Sequence, residues 1–272
     1  MDNIFSKFDD IFDNLKEYII QYFQTFIYKP TIPYYNFKLG KKCLQCLQSY
    51  TYEYDENLCK YLLKLCFKCT HSNSASKLSV SPLLILIRGN NEIYGVNTIF
   101  SYILNYENYS CIIFSGTTNK AEWIKNLNFE PQSPNLNNCT ENMKVHKGFL
   151  EIYNNIRSNL HKNIDTSKQL IICGHSLGAA LTLLCALDFL EYNPIVYNFA
   201  APRVVNNEVK NVLDALSIWR IYNTEDLVTM LPLPVMGNYN FVHVGNNVSF
   251  IDNQGNYIDN HIKSYKKVFN IK

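Results

Sequence analysis

The sequence predicts an α/β fold: a mostly parallel central sheet flanked by helices, with an N-terminal helical extension. Three observations lead there. From Pro82 onward, short apolar runs alternate with segments of helical spacing, the order that builds a parallel sheet covered by helices. Within that region Leu170, Ile171, Ile172 and Cys173 form an uninterrupted apolar run, as in a strand buried on both faces. The pattern then switches to Ala179, Ala180, Leu183, Leu184 and Leu187, the spacing of a helix with one apolar face.

Taken in order, residues Ile4 to Ile27 carry Phe5, Phe8, Phe12, Leu15, Ile19, Tyr22 and Phe26 along one helical stripe. The opposite face holds Asp9, Asp10, Asp13 and Glu17 against Lys7 and Lys16, so it suits packing on the protein's own core or a partner better than an anionic membrane. Pro30 and Pro33 end the stripe. A second helical region follows to about Cys69, then the polar loop THSNSASKLSVSP. Residues 1–80 are expected to be a helical extension packed on a domain formed by 81–272, the two making one structural unit.

Cys43, Cys46, Cys66 and Cys69 repeat Cys-x-x-Cys at a separation that suits a zinc ribbon. Zinc knuckles need tight turns, whereas these cysteines have leucine-rich neighbours and no Gly or Pro between the pairs. Cysteines three apart share a helical face, which Cys59, Leu62, Leu63 and Leu65 extend, so a cysteine-lined helix interior is expected in place of a metal site.

Leu83 to Arg88 reads as a strand, Asn90-Asn91 as a turn, and Glu92 to Val96 as a return strand. Cys111 to Ser115 is a further strand, and Lys147 to His161 has helical spacing through Phe149, Leu150, Tyr153 and Ile156. Beyond the Leu183 helix come strands at Pro194 to Phe199 and Ile218 to Tyr222, then FVHVGNNVSFI as a late strand or hairpin.

Composition narrows the function classes. A formal net charge of +2 without a basic stripe argues against nucleic acid, and no run is long enough to span a bilayer. The acidic start MDNIFSKFDDIF is unlike a secretory signal. With nine cysteines, an odd number, a reducing, cytoplasmic setting with free thiols is expected, contact with a lipid surface remaining open.

Ser176 stands where the apolar strand becomes a helix, with Gly174 and Gly178 two places to either side. A nucleophile pushed out on so tight a turn is strained, and side chains at both flanking positions would collide. The chain has only 10 glycines, so chance yields Gly-x-Ser-x-Gly in on the order of a few per cent of such sequences. The strand-then-helix context is what the motif demands of a nucleophile. A serine hydroxyl needs a histidine to take its proton and an acid to orient that histidine, and on such a sheet the order is Ser, acid, His. His243 lies in the alternating stretch FVHVG, whereas His261 lies in what reads as a polar loop free to reach back; His261 is preferred. Among the acids, Asp188 falls on the helix after Ser176 and Asp214 before the next strand. Asp226 follows an apolar strand directly and is preferred on position, although NTED is also good turn chemistry.

These segments resemble the class 3 lipases, the fungal triacylglycerol lipase type within the α/β-hydrolase fold. GHSLGAA is similar to that family's nucleophile motif, NTEDLVTMLP to its acid segment and HIKSY to its histidine segment; VHKGF, APRVVN and HVGNNV resemble three further blocks. All occur in family order from about Leu83 onward. The resemblance implies an oxyanion hole formed by Thr117 with the backbone amide of Leu177. It also implies a lid after Thr117, where Trp123, Ile124 and Leu127 lie at helical spacing. In the family the strand before the oxyanion residue ends in Phe-Arg-Gly; here Ser115 replaces the arginine, which puts the support of that loop in question. His146 reads as a structural histidine.

The expected activity is carboxylic-ester hydrolysis, most simply of acylglycerols, through Ser176, His261 and Asp226, with a lipid or other ester as the partner and no metal or cofactor. Two rivals stand beside it: a catalytically silent α/β-hydrolase used for binding, and a zinc-dependent interaction protein built on the N-terminal cysteines.

Overall fold

The structure, a computed structural model, describes residues 53–70, 84–91, 95–106, 108–116, 130–136, 139–236 and 239–271. The expected helix over Ile4 to Ile27, Cys43, Cys46, the polar loop that follows Cys69, Thr117 and the segment with Trp123, Ile124 and Leu127 lie outside these residues.

A seven-stranded sheet in the order β1-β2-β3-β6-β7-β8-β11 forms the centre. Its strands are β1 (Leu84–Asn91), β2 (Gly95–Asn105), β3 (Tyr109–Phe114), β6 (Gln169–His175), β7 (Ile195–Phe199), β8 (Ile218–Asn223) and β11 (Asn246–Phe250). The first two neighbouring pairs, β1/β2 and β2/β3, are antiparallel; the other four are parallel. Two minor pairs stand apart, β4 (Pro131–Gln132) with β5 (Val145–His146), and β9 (Val235–Met236) with β10 (Tyr239–Asn240). The helices are α1 (Glu56–Thr70), α2 (Lys147–Asn163), α3 (Leu177–Asp188), α4 (Asn207–Leu213) and α5 (Tyr257–Val268).

The apolar run Leu170 to Cys173 is fully buried because both faces of β6 are covered. Successive side chains of a strand point to opposite faces. Leu170 and Ile172 accordingly join the core shared with Ala180, Leu181 and Leu184 of α3. Cys173 and His175 instead meet α1, through a Cys66 Sγ to Cys173 Sγ contact of 3.7 Å and a Phe67–His175 ring distance of 5.0 Å. Helix α1 belongs to the same compact unit as the sheet, Thr51–Lys272. Asp55 caps it by accepting from the amides of Asn57 and Leu58, and its buried face is the expected one: Cys59, Leu62, Leu63, Leu65, Cys66 and Cys69. Burial pushes the Cys59 thiol up to about 12 and holds the Cys173 thiol well above its usual range, so these sulfurs behave as small apolar groups.

Three local readings change. Asn90-Asn91 is not a turn: β1 continues through Asn91, which pairs with Gly95. The return strand extends to Asn105 and not Val96, since Ser101 to Leu104 are buried on both faces and show no alternation to read. For FVHVGNNVSFI the late-strand alternative holds and the hairpin falls: Asn246–Phe250 lies parallel to β8, and Val242 forms an isolated bridge with Val205. Asp188, buried at the end of α3, accepts from Tyr153, from Arg157 in a two-toothed pair, and lies 2.7 Å from His161 Nε2, which ties α2 to α3.

Candidate active site

In parallel α/β sheets ligands bind beyond the carboxyl ends of the strands. Ser176 follows the last residue of β6, Asp226 lies three residues past β8, and His261 lies on the element after β11. Ser176 has φ 62° and ψ −122°, a left-handed backbone that an L side chain rarely adopts, and it forms the N-cap of α3. The turn is held by a bond from the Ser176 amide to the Phe199 carbonyl and by the Ala180 amide bonding the Ser176 carbonyl. Both flanking glycines are required by contact. A Cβ on Gly174 would strike the Gly178 backbone, and one on Gly178 would stand 2.9 Å from the Phe114 carbonyl carbon and 3.0 Å from Ser115 O.

The sequence-preferred residues come together. His261 Nε2 is 2.7 Å from Ser176 Oγ, and His261 Nδ1 is 2.8 Å from Asp226 Oδ2. A carboxylate only accepts, so Nδ1 carries the proton and Nε2 is left to accept from the serine hydroxyl. All three are buried, Asp226 completely. Asp226 Oδ2 also accepts from Tyr265 Oη at 3.0 Å, and Oδ1 from the Val228 amide at 3.0 Å. The turn-chemistry reading of Asp226 therefore holds as well: the same carboxylate caps the short 3-10 turn Leu227–Met230 and faces the imidazole. Burial first, and then the charge of Asp226, hold the Tyr265 phenol well above its usual range, so it remains a proton donor.

His261 is not in a loop. It is the fifth residue of α5, whose N-cap Asn256 accepts from the Asp259 amide. Helical spacing places Tyr265 one turn beyond His261, which lets both reach Asp226. Sequence reasoning missed Tyr265 because it missed the helix; Asn256 followed three places later by Asp259, with Lys266 and Lys267 in the last turn, was the available signal. It also missed Asn223, fully buried at the end of β8, which accepts from the Asp252 amide and donates to the Asp252 and Asn260 carbonyls. That latch fixes the acid-bearing loop to the start of α5. His175, within the nucleophile motif, has a role that the motif does not announce: its Nε2–H donates to the His261 carbonyl at 3.0 Å.

The amides at the N-terminus of α3, beginning with Leu177, have no carbonyl within the helix to bond and carry the positive end of its dipole. Ser115, buried at the end of β3, donates to the Gly116 carbonyl at 3.1 Å and the Cys69 carbonyl at 3.4 Å, so the position of the expected arginine is braced by α1. His243, the histidine not preferred, meets Arg220 Nη2 at 3.1 Å; burial, then the charges of Arg220 and Arg203, hold it well below its usual value. His146 lies between Phe149 and Phe241, at ring distances of 4.3 and 5.9 Å. Among the described residues no group of three or more His, Cys, Asp or Glu is arranged to hold a metal, and no helix is long and apolar enough to cross a membrane.

A strand, a sharp left-handed serine turn and a helix, with acid and histidine supplied beyond later strands, define the α/β-hydrolase class. Residues 111–236 match the model of the class 3 lipase family. A lipase of Rhizomucor miehei is 34% identical over 158 residues, 52% of this chain and 42% of the relative. A chloroplastic phospholipase A(1) of Arabidopsis thaliana is 31% identical over 153 residues, 47% and 34% respectively. The chain thus spans less than half the length of these relatives. Among solved structures, the triacylglyceride lipase of Rhizomucor miehei superimposes with a TM-score of 0.56 at 25% identity, covering 71% of this chain and 79% of that one.

Proposed function

We propose that the protein hydrolyses carboxylic esters, acylglycerols being the favoured class, by acyl transfer through Ser176. The observation that carries this reading is His261, buried and bridging Ser176 Oγ at 2.7 Å and Asp226 Oδ2 at 2.8 Å. Ser176 Oγ attacks the ester carbonyl as His261 Nε2 takes its proton, and Asp226 stabilises the imidazolium. The Leu177 amide, with Thr117, receives the negative charge that develops on the carbonyl oxygen; one such donor is typically worth about 3 kcal/mol of the barrier. Collapse expels the alcohol, which takes its proton from His261. Water, deprotonated by the same imidazole, then releases the acid and restores Ser176.

The lipid-ester class is supported by the relatives, whose names are lipase and phospholipase A(1). The segment with Trp123, Ile124 and Leu127 is proposed as a lid that turns its apolar face toward a lipid surface. The test is hydrolysis of p-nitrophenyl butyrate and palmitate, with and without a lipid interface, beside labelling of Ser176 by a fluorophosphonate. Wild type is expected to be active and labelled, and Ser176→Ala to be neither. A folded wild type that is inactive and unlabelled would return the silent-hydrolase reading.

A further inference from the structure

We propose that Phe67, on helix α1, is a positioning residue for this reaction, acting through His175 on the backbone of His261. The inference rests on the ester-hydrolase reading above. The geometry is a relay of three aromatic rings. Phe67 lies against His175 with centroids 5.0 Å apart and planes at 45°. The His175 ring lies 4.8 Å from the ring of His261 and stands edge-on to Tyr265 at 5.3 Å. Its Nε2–H bonds the His261 carbonyl at 3.0 Å. Asp226 fixes the His261 ring from one side; His175 fixes the peptide that carries the ring from the other. Phe67 closes the α1 side of the His175 ring and is itself covered by Lys266 of α5, whose Nζ is 5.1 Å from the Phe67 centroid. Helix α1 thereby touches both the strand that presents the nucleophile and the helix that presents the base.

Phe67 is poorly placed to be a mere anchor. It is half-buried, whereas Leu62, Leu63 and Cys66 on the same helix are at most 1% exposed and fill the contact with the sheet. Removing the Phe67 ring leaves that contact in place and opens space beside His175. The imidazole can then turn, its bond to the His261 carbonyl weakens, and His261 Nε2 moves relative to Ser176 Oγ. Displacements on the order of 1 Å between reacting groups cost up to about a hundredfold in rate. The contact acts on the peptide that carries the base, so the loss is expected to fall on kcat and to spare KM.

The experiment compares full-length wild type, Phe67→Ala, Phe67→Tyr and Leu62→Ala by thermal unfolding, by kinetics on p-nitrophenyl butyrate and by fluorophosphonate labelling of Ser176. Phe67→Ala is expected to lower kcat about tenfold with KM within about twofold. Phe67→Tyr, which keeps the ring, restores kcat. Leu62→Ala lowers Tm and leaves the kcat of the folded enzyme near wild type. If Phe67→Ala does not fold, Phe67→Leu, which keeps volume and loses the flat ring, carries the same comparison. A folded Phe67→Ala with wild-type kcat, or with a loss that only follows its Tm as in Leu62→Ala, overturns the inference while wild-type labelling at Ser176 upholds the hydrolase reading. An unlabelled, inactive wild type overturns both.

Discussion

His146 gives the molecule an acid sensitivity that one substitution should remove. The ring is fully buried between Phe149 and Phe241, and burial lowers its pKa from 6.5 to about 4. In the unfolded chain the same group titrates near 6.5. Between these values the unfolded state binds a proton that the folded state does not, so stability must rise with pH through the window and fall as acid is added. From 6.5 to about 4, at about 1.4 kcal/mol per decade, the full effect is about 3 kcal/mol, of which about 2.5 kcal/mol appears between pH 7.5 and 4.5. His146→Phe keeps a flat ring in the same slot and cannot bind the proton. The assay is urea unfolding of both proteins at pH 7.5 and 4.5. Wild type should lose about 2.5 kcal/mol more than the variant. Other groups, including His243, contribute to both proteins and cancel in the difference. Equal acid sensitivity in the two would refute the reasoning, since it would mean that His146 is protonated as readily inside the fold as outside it.

Other substitutions probe other parts. Gly178→Ala drives a Cβ into the β3 carbonyls at Phe114 and Ser115 and should cost about 3 kcal/mol in chemical denaturation, taking activity with it by displacing the serine turn. Asp226→Asn keeps the shape of the acid and removes the charge that orients His261; kcat should fall by about 10⁴ with the fold retained by circular dichroism, and a loss under tenfold would deny Asp226 its role. Asp188→Ala strands Arg157 and the buried Tyr153 hydroxyl at the far end of α3. It should cost about 3 kcal/mol in urea unfolding while the folded fraction keeps its kcat, separating this carboxylate from the one at Asp226.

What the sequence made legible is what local chemistry dictates. Gly174, Ser176 and Gly178 announce a serine turn because close backbone approach at that turn leaves no room for other residues. Cys59, Cys66 and Cys69 mark a buried helix face because separations of seven and three place them on one side of a helix. Legibility fails where the deciding partner is distant in the chain. β2 is covered on both faces over Ser101 to Leu104 and so lacks alternation there, and its pairing with β1 and β3 carries the strand on to Asn105. α5 looks like loop because Asp259, Asn260, Lys263, Lys266 and Lys267 leave it little apolar pattern; its order derives from Asn256 at the cap and from Tyr265 seated on Asp226. Asn223 reads as a turn residue, and its role exists only once Asp252 and Asn260 are folded against it.

The arrangement of the site also has a consequence in time. Ser176 meets a base 85 positions later in the chain, and the Cys66 thiol of α1 meets a strand 107 positions downstream. On a ribosome α1 emerges with nothing of the sheet to dock on, and the serine turn emerges long before its proton acceptor. Such distant pairings form slowly and late. The nucleophile is therefore chemically unarmed while the chain is incomplete, and the step that arms it, seating of α5 on β8, also covers part of the apolar surface exposed by nascent chains.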